Sequence, residues 1–313
     1  MRVVEVISYG GPEVLRIANR PDPEAGDVPG RVRVRLKAAA VHQADLRIRS
    51  GRWAAFLGEL APPFVLGFDF AGVLLDAAPG LPEGTRVAGF IPWVTEGTGE
   101  GSYAEVIRAD PEWLAPIPED MEFTTAASVP LSALAAYQAV DLLDLPGGSP
   151  VLVSGAGGVV GRFAVQHAAA AGYRVIVLAE EDDRHELLRL GAEELVPRGD
   201  PADVVAKVRA HVPEGVAAVL DAALIGAPLL PALRDGGTFV SASGEQLPDR
   251  VRDIDVTAIR PRPDAARLKA ILDGVAAREL TTRTADIVPL ASAAEAHRRA
   301  EAGHRPGRIV LLI

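Results

Sequence analysis

The chain has 313 residues, 49% of them hydrophobic, with 42 acidic against 32 basic residues for a formal net charge of −10, and it contains no cysteine. That length is enough for two domains with sizeable cores, and the acidic balance argues against a nucleic acid or an anionic membrane surface as partner. The absence of cysteine excludes disulfides, a thiolate nucleophile and every cysteine-containing zinc site. No run of about eighteen uncharged apolar residues is present, so no transmembrane helix is expected. Met1-Arg2-Val3-Val4-Glu5-Val6 enters strand-like sequence without a signal-peptide pattern, which makes the cytoplasm the expected compartment.

Residues 1–120 read as β-rich. Arg31–Lys37 alternates apolar and basic residues, the period of a half-exposed strand, and Pro21–Gly30 is a Pro/Gly/Asp-rich connector. Short apolar runs at 70–75 and 86–91 fit a small irregular barrel. From 121 onward the pattern becomes strand–helix alternation. Helices are predicted near 124–140, 161–171, 183–190, 201–211 and 226–234, and strands near 151–154, 174–178, 194–196, 216–221 and 237–241. Strands separated by helix-length segments imply βαβ units and a parallel sheet covered on both faces. Residues 264–313 add two helical segments and a last strand, Arg308–Ile313.

The most informative stretch is 151–172. A buried strand (Val151-Leu152-Val153) runs into a turn reading Ala156-x-Gly158-x-x-Gly161, which opens an alanine-rich helix. Gly158 would let the backbone approach a pyrophosphate, and Gly161 would let the helix pack close to the strand. The free N–H groups and the positive end of the helix dipole favour phosphate there. With a strand before, a helix after and a second strand at Arg174–Ala179, the context is that of a dinucleotide fold.

Several ordered motifs carry a wider resemblance. These are Pro63-Phe-Val-Leu-Gly-Phe-Asp-Phe-Ala-Gly-Val73, Gly101-Ser-Tyr-Ala-Glu105, Pro130–Ala139, the glycine turn, Leu190-Gly-Ala192, Val219-Leu-Asp221 and Gly236-Gly-Thr-Phe-Val-Ser241. Together they resemble the zinc-free medium-chain dehydrogenase/reductases, in particular the quinone oxidoreductase and zeta-crystallin group, with polyketide synthase enoylreductases as near relatives. The resemblance implies an α/β fold: a doubly wound parallel Rossmann sheet plus a β-rich GroES-like catalytic domain. The expected division is 1–120 (GroES-like), 121–261 (Rossmann) and 262–313 (completing the catalytic domain). It also implies NAD(P)H as cofactor, with the nicotinamide between domains, and a small-molecule quinone or α,β-unsaturated carbonyl as hydride acceptor. A homodimer pairing edge strands is implied as well, and the alternation over Arg252–Ile259 falls at the expected edge. Two other readings stand beside the reductase: a non-redox step such as cyclisation or elimination on this scaffold, and a non-catalytic NAD(P)H-sensing protein.

Zinc-containing relatives place cysteine and histidine near Val41–Asp45 and Gly67–Asp69; here Phe68 stands where they carry histidine, so no metal is expected. Val41-His-Gln-Ala-Asp45 occupies the place of the relatives' Val-Asn-Pro-x-Asp, which sets His42 beside the expected nicotinamide. His42 is either a proton donor or a hydrogen-bonding replacement for Asn. Asp45 is the second candidate catalytic residue, acting on substrate or orienting the loop or His42. Trp53 stands where relatives commonly carry Tyr, and an indole N–H is no general acid. Trp53, Phe56, Phe64 and Trp93 are the expected substrate-pocket residues, with ordinary core packing as the alternative.

Cofactor contacts are expected from His42, Ala156, Gly157, Gly158, Val159, Val160, Glu180, Arg184, Arg198, Ser241 and Gly244. Ala179-Glu-Glu-Asp-Asp-Arg184 puts carboxylates where a 2′-phosphate would sit, which favours NADH; Arg184 or Arg198 would be needed to accommodate NADPH. Asp221 ends the strand before the nicotinamide-facing loop, and that loop, 222–228, is short. Tyr137, Gln138, His167, His185, His211, His297 and His304 read as structural, surface or partly buried positions.

Overall fold

The computed structural model describes residues 1–54, 58, 60–245, 247–303 and 307–313. Contacts divide the chain into two units, Met1–Leu131 with Arg262–Ile313, and Ser132–Pro261. The first junction therefore falls at 131/132 and not at 120/121. The cause is the short helix Phe123–Ala127, which buries Ala126 and Ala127 and packs on strands of the first unit.

The first unit begins with β1 (Arg2–Val6), β2 (Leu15–Asn19), β3 (Val32–Val41), β4 (Phe64–Val65), β5 (Asp69–Leu74), β6 (Arg86–Phe90), β7 (Val106–Ala109) and β8 (Ala115–Pro116). The predicted alternation is realised in β3, where Val32, Val34 and Leu36 are buried while Arg35 and Lys37 are exposed. Beyond Lys37 the strand turns wholly apolar and small (Ala38, Ala39, Ala40), because it is paired on both sides and covered there.

The second unit contains β9 (Pro150–Ser154), β10 (Arg174–Ala179), β11 (Glu194–Pro197), β12 (Val216–Asp221), β13 (Leu233–Ser241) and β14 (Asp255–Ala258). Their order is β11-β10-β9-β12-β13-β14, every pair parallel. This doubly wound order reverses direction between β9 and β12, and ligands of such sheets bind at the strand ends beside that switch point. Val151, Leu152 and Val153 are fully buried, as a strand covered on both faces requires.

Two predicted elements take another form. The helix expected over 226–234 is a 3-10 helix at Ala227–Ala232 followed at once by β13. Pro231 lies inside it, and proline lacks the N–H that an α-helix would need. The edge strand expected over 252–259 shrinks to β14, because Arg252 and Asp253 adopt positive φ (53° and 56°) and form the turn before it. The Arg252 guanidinium holds that turn by donating to Leu233 O (3.1 Å) and Asp235 Oδ1 (2.9 Å).

The chain then returns to the first unit with β15 (Thr284–Pro289) and β16 (Arg308–Leu312). Among the described residues these complete a seven-stranded sheet, β15-β16-β3-β5-β6-β8 with β7 beside β3. β16 runs antiparallel to the last four residues of β3, Ala38–Val41. The C-terminal segment thus braces the strand that ends just before His42. No helix among the described residues is long and apolar enough to cross a membrane.

Candidate active site

In the first unit β3 ends at Val41, and the helix Gln43–Arg49 starts with His42 as its N-cap in extended conformation (φ −109°, ψ 155°). Asp45 stands three residues on, where a carboxylate interacts favourably with the helix N-terminus. Its Oδ2 accepts the His42 backbone N–H at 2.7 Å, and its Oδ1 accepts the Gly67 N–H at 3.0 Å. One carboxylate thus joins the His42 segment to the segment leading into β5. Gly67 is required there: its φ is +99°, and a Cβ would collide with the Ser102 hydroxyl and lie 2.5 Å from the Tyr103 ring.

Two residues after Gly67, Asp69 turns its Oδ2 to His42 Nε2 at 2.9 Å. Its Oδ1 accepts the Leu131 N–H at 2.8 Å, and its backbone carbonyl accepts the Ser102 hydroxyl at 2.8 Å. Asp69 and Asp45 are fully buried and His42 nearly so. Burial pushes the Asp45 carboxyl up from its ordinary range, against the opposing pull of the His42, Gly67 and Arg308 groups. Arg308 is itself buried and donates to Val41 O at 3.0 Å, in the field of both carboxylates. The cluster offers an imidazole braced by a carboxylate in a dry setting, suited to holding or passing one proton.

In the second unit Gly158 caps the helix Val159–Ala170 with no side chain on the first-turn N–H groups. That leaves the donors of Val159 and Val160 for an anion. Ala156 is buried, its N–H bonded to Leu178 O at 3.3 Å, which ties the turn to β10. A Cβ on Gly161 would collide with Gly155 O, so helix and strand meet here without room for a side chain. At the end of β10, Arg198 pairs with Glu180 at 3.0 Å, and Arg184 pairs with Glu181, holding that carboxyl below its usual range. Asp183 faces Gly157 closely enough that a Cβ there would strike its carboxylate. Asp221 is buried and committed: its oxygens accept Ser154 Oγ (2.5 Å), Ile225 N (3.2 Å) and Gly226 N (2.7 Å). It shapes the short loop after β12. Ser241 ends β13 and accepts the Ser243 N–H at 3.3 Å; Gly244 follows in the same bend.

An alcohol dehydrogenase GroES-like domain matches residues 28–119, and a zinc-binding dehydrogenase domain matches 190–311. A solved NAD-dependent alcohol dehydrogenase is 31% identical with 100% of both chains covered and a TM-score of 0.81. The chain belongs to the medium-chain dehydrogenase/reductase family. Among curated members, the mouse synaptic vesicle membrane protein VAT-1 homolog-like is 31% identical over 225 residues, 71% of this chain and 51% of that protein. Human quinone oxidoreductase is 30% identical over 222 residues, 68% of this chain and 63% of its own. A mycobacterial structure complexed with NADPH is 28% identical, covers 100% of both chains and has a TM-score of 0.80. The chain spans about half the length of the first curated relatives it matches.

Cysteine is absent from the sequence, and His42 and Asp69 are hydrogen-bonded to each other. No group of three or more His, Asp or Glu placed to hold a metal occurs among the described residues. The glycine turn does fit a dinucleotide, because its first-turn donors lack a side-chain cap.

The expected pocket role of Phe64 and Trp93 needs correction. Phe64 and Trp93 are 2% and 0% exposed and stack on each other (ring centroids 6.1 Å), so they are core residues with no surface for substrate. Trp53 is half-buried with Arg47 over its ring, and Phe56 lies outside the described residues. Of the two readings for His297, surface or satisfied and partly buried, burial with hydrogen bonds is the one realised, and it is complete.

Sequence reasoning missed Asp69, Tyr103 and His297 as site residues, although Asp69 interrupts the apolar run Phe64–Val73, and a charge in such a run is buried only when paired.

Burial first, and then the Arg49 charge, push the His297 imidazole down from 6.5 to about 3. Below pH 6.5 the unfolded chain therefore binds a proton that the folded one refuses, so stability falls as pH drops from 6.5 toward 3. Asp45, raised by burial, titrates in the opposite sense and is common to wild type and variant. The stability difference between wild type and His297→Gln should narrow by about 2 kcal/mol from pH 7.5 to pH 5, at about 1.4 kcal/mol per unit. Urea denaturation at the two pH values measures it.

Proposed function

We propose that the chain is a zinc-independent reductase that delivers hydride from NAD(P)H, NADH preferred, to a quinone or an α,β-unsaturated carbonyl. The uncapped helix start at Gly158, set between β9 and the acidic end of β10, carries this reading. Bound nicotinamide would supply the hydride; the protein's share is placement, exclusion of water and a proton. Val159 and Val160 N–H groups would hold the pyrophosphate. Glu180 would accept from a ribose hydroxyl. Arg184 and Arg198, both spent on Glu181 and Glu180, give little reception to a 2′-phosphate.

His42, held by Asp69, would protonate the reduced acceptor. A second reading has a specific observation behind it: Nε2 is already engaged by a buried carboxylate, which suits a ring that positions the nicotinamide and leaves the proton to solvent. The side of β14 that pairs with no strand among the described residues is where a second copy would add to give a homodimer, and a cytoplasmic setting suits a reductase of this kind.

Stopped-flow loss of nicotinamide absorbance against a panel of quinones and enones tests the activity, with NADH and NADPH compared. Oxidation with a quinone or enone, faster with NADH, supports it. No acceptor-dependent oxidation with either nucleotide overturns it.

A further inference from the structure

A chain of buried hydrogen bonds runs behind the His42–Asp69 pair, through residues that the proposed reaction does not use. Arg49 Nη1 lies 3.1 Å from His297 Nδ1, His297 Nε2 lies 3.1 Å from the Tyr103 hydroxyl, and Tyr103 Oη lies 3.3 Å from Asp45 Oδ2. Arginine can only donate, so His297 Nδ1 must accept. The proton of a neutral imidazole then sits on Nε2 and points to the tyrosine oxygen. That leaves the tyrosine O–H free to point to Asp45. The depressed basicity of His297 keeps the ring neutral, so the polarity of the whole chain is fixed. Tyr103 is itself fully buried, and desolvation first, then Asp45, holds its hydroxyl well above its ordinary range, so it stays a donor.

Asp45 is the end of this chain and the staple between the segments bearing His42 and Asp69. It receives three donors: two backbone N–H groups, one from each segment, and the Tyr103 hydroxyl. The other groups facing His297 and Tyr103 are Arg49, whose second Nη pairs with Glu301 on the same helix as His297, and the buried Arg308. The Tyr103 ring also lies against Gly67, the residue whose N–H Asp45 holds. His297 comes from the C-terminal segment, 194 residues from Tyr103.

We propose that Tyr103 and His297 are positioning residues: they orient the Asp45 carboxylate, and through it set the separation of His42 from Asp69. The proposal rests on the role given to His42 above. Neither residue touches the His42 ring; they act through Asp45.

The test uses the full chain with 15N-labelled histidine, the His42 signals being identified by their loss in His42→Asn. In wild type, His297 is expected as the neutral tautomer with its proton on Nε2, unchanged from pH 7 to pH 5. Tyr103→Phe, a loss of one hydroxyl, should shift the His42 ring resonances. In the acceptor assay it should lower kcat by about tenfold, the scale of a small misplacement, with KM for the nucleotide within about twofold. His297→Gln keeps one donor and one acceptor and should restore most of that kcat, whereas His297→Leu should behave like Tyr103→Phe. A His297 proton on Nδ1 overturns the proposal. So does a folded Tyr103→Phe whose His42 resonances match wild type. If Tyr103→Phe does not fold, the His42 resonances of His297→Leu decide in the same way. A wild type that reduces no acceptor would refute the proposed activity and leave the resonance comparison standing.

Discussion

A His42→Asn variant is expected to turn over about 100-fold more slowly than wild type in the acceptor assay, the usual scale for loss of a general acid, with nucleotide affinity nearly unchanged. Asn keeps an N–H that can reach toward Asp69 and caps a helix well, so the strand-to-helix junction at 41–43 should survive the change. What it removes is a ring nitrogen that can carry and pass on a proton. A small effect on turnover would assign His42 to positioning. Steady-state kinetics with the nucleotide saturating separate the two cases.

The second large effect concerns the glycine turn, where two glycines do different work. Gly161→Ala would drive a Cβ into Gly155 O and to 2.7 Å from Ala156 Cα, both backbone atoms that cannot step aside. Forcing the helix off β9 should cost about 1–3 kcal/mol of stability, each kcal/mol worth roughly 2–4 °C in Tm if the unit unfolds in one step. Gly158→Ala meets only Gly155 O, at 3.2 Å, so its stability should stay within about 0.5 kcal/mol of wild type. Its expected loss is in NADH binding, by about tenfold or more, since a methyl group would stand where the backbone must approach the pyrophosphate. Thermal denaturation and NADH titration of both variants check the split. Equal NADH affinity in Gly158→Ala and wild type would remove the turn from the binding site.

The sequence by itself determined the architecture of the second unit, because each of its signals is local. The apolar run at 151–153, the glycine spacing at 156–161 and the strand-helix alternation to 221 are readable within a few residues of one another. Their order then leaves few parallel topologies open. Local chemistry misled where a competing rule was stronger, as at Pro231, which shortened a predicted helix to a 3-10 turn. His42 and Asp45 were legible because they share one turn of helix and a family motif.

The rest of the candidate site was decided only by tertiary structure. Asp69 meets His42 across 27 positions, Tyr103 meets Asp45 across 58, and His297 meets Arg49 across 248. No periodicity encodes such meetings. Asp69 arrives because β5 pairs with β3, and His297 because β16 pairs with the end of β3 and returns the C-terminal segment to the strand that ends just before His42. The same packing took Phe64 and Trp93 out of the expected pocket and into the core, since an aromatic residue in an apolar run reads alike for both. A buried polar group needs its partner in space, and its neighbours in sequence do not reveal which residue that is.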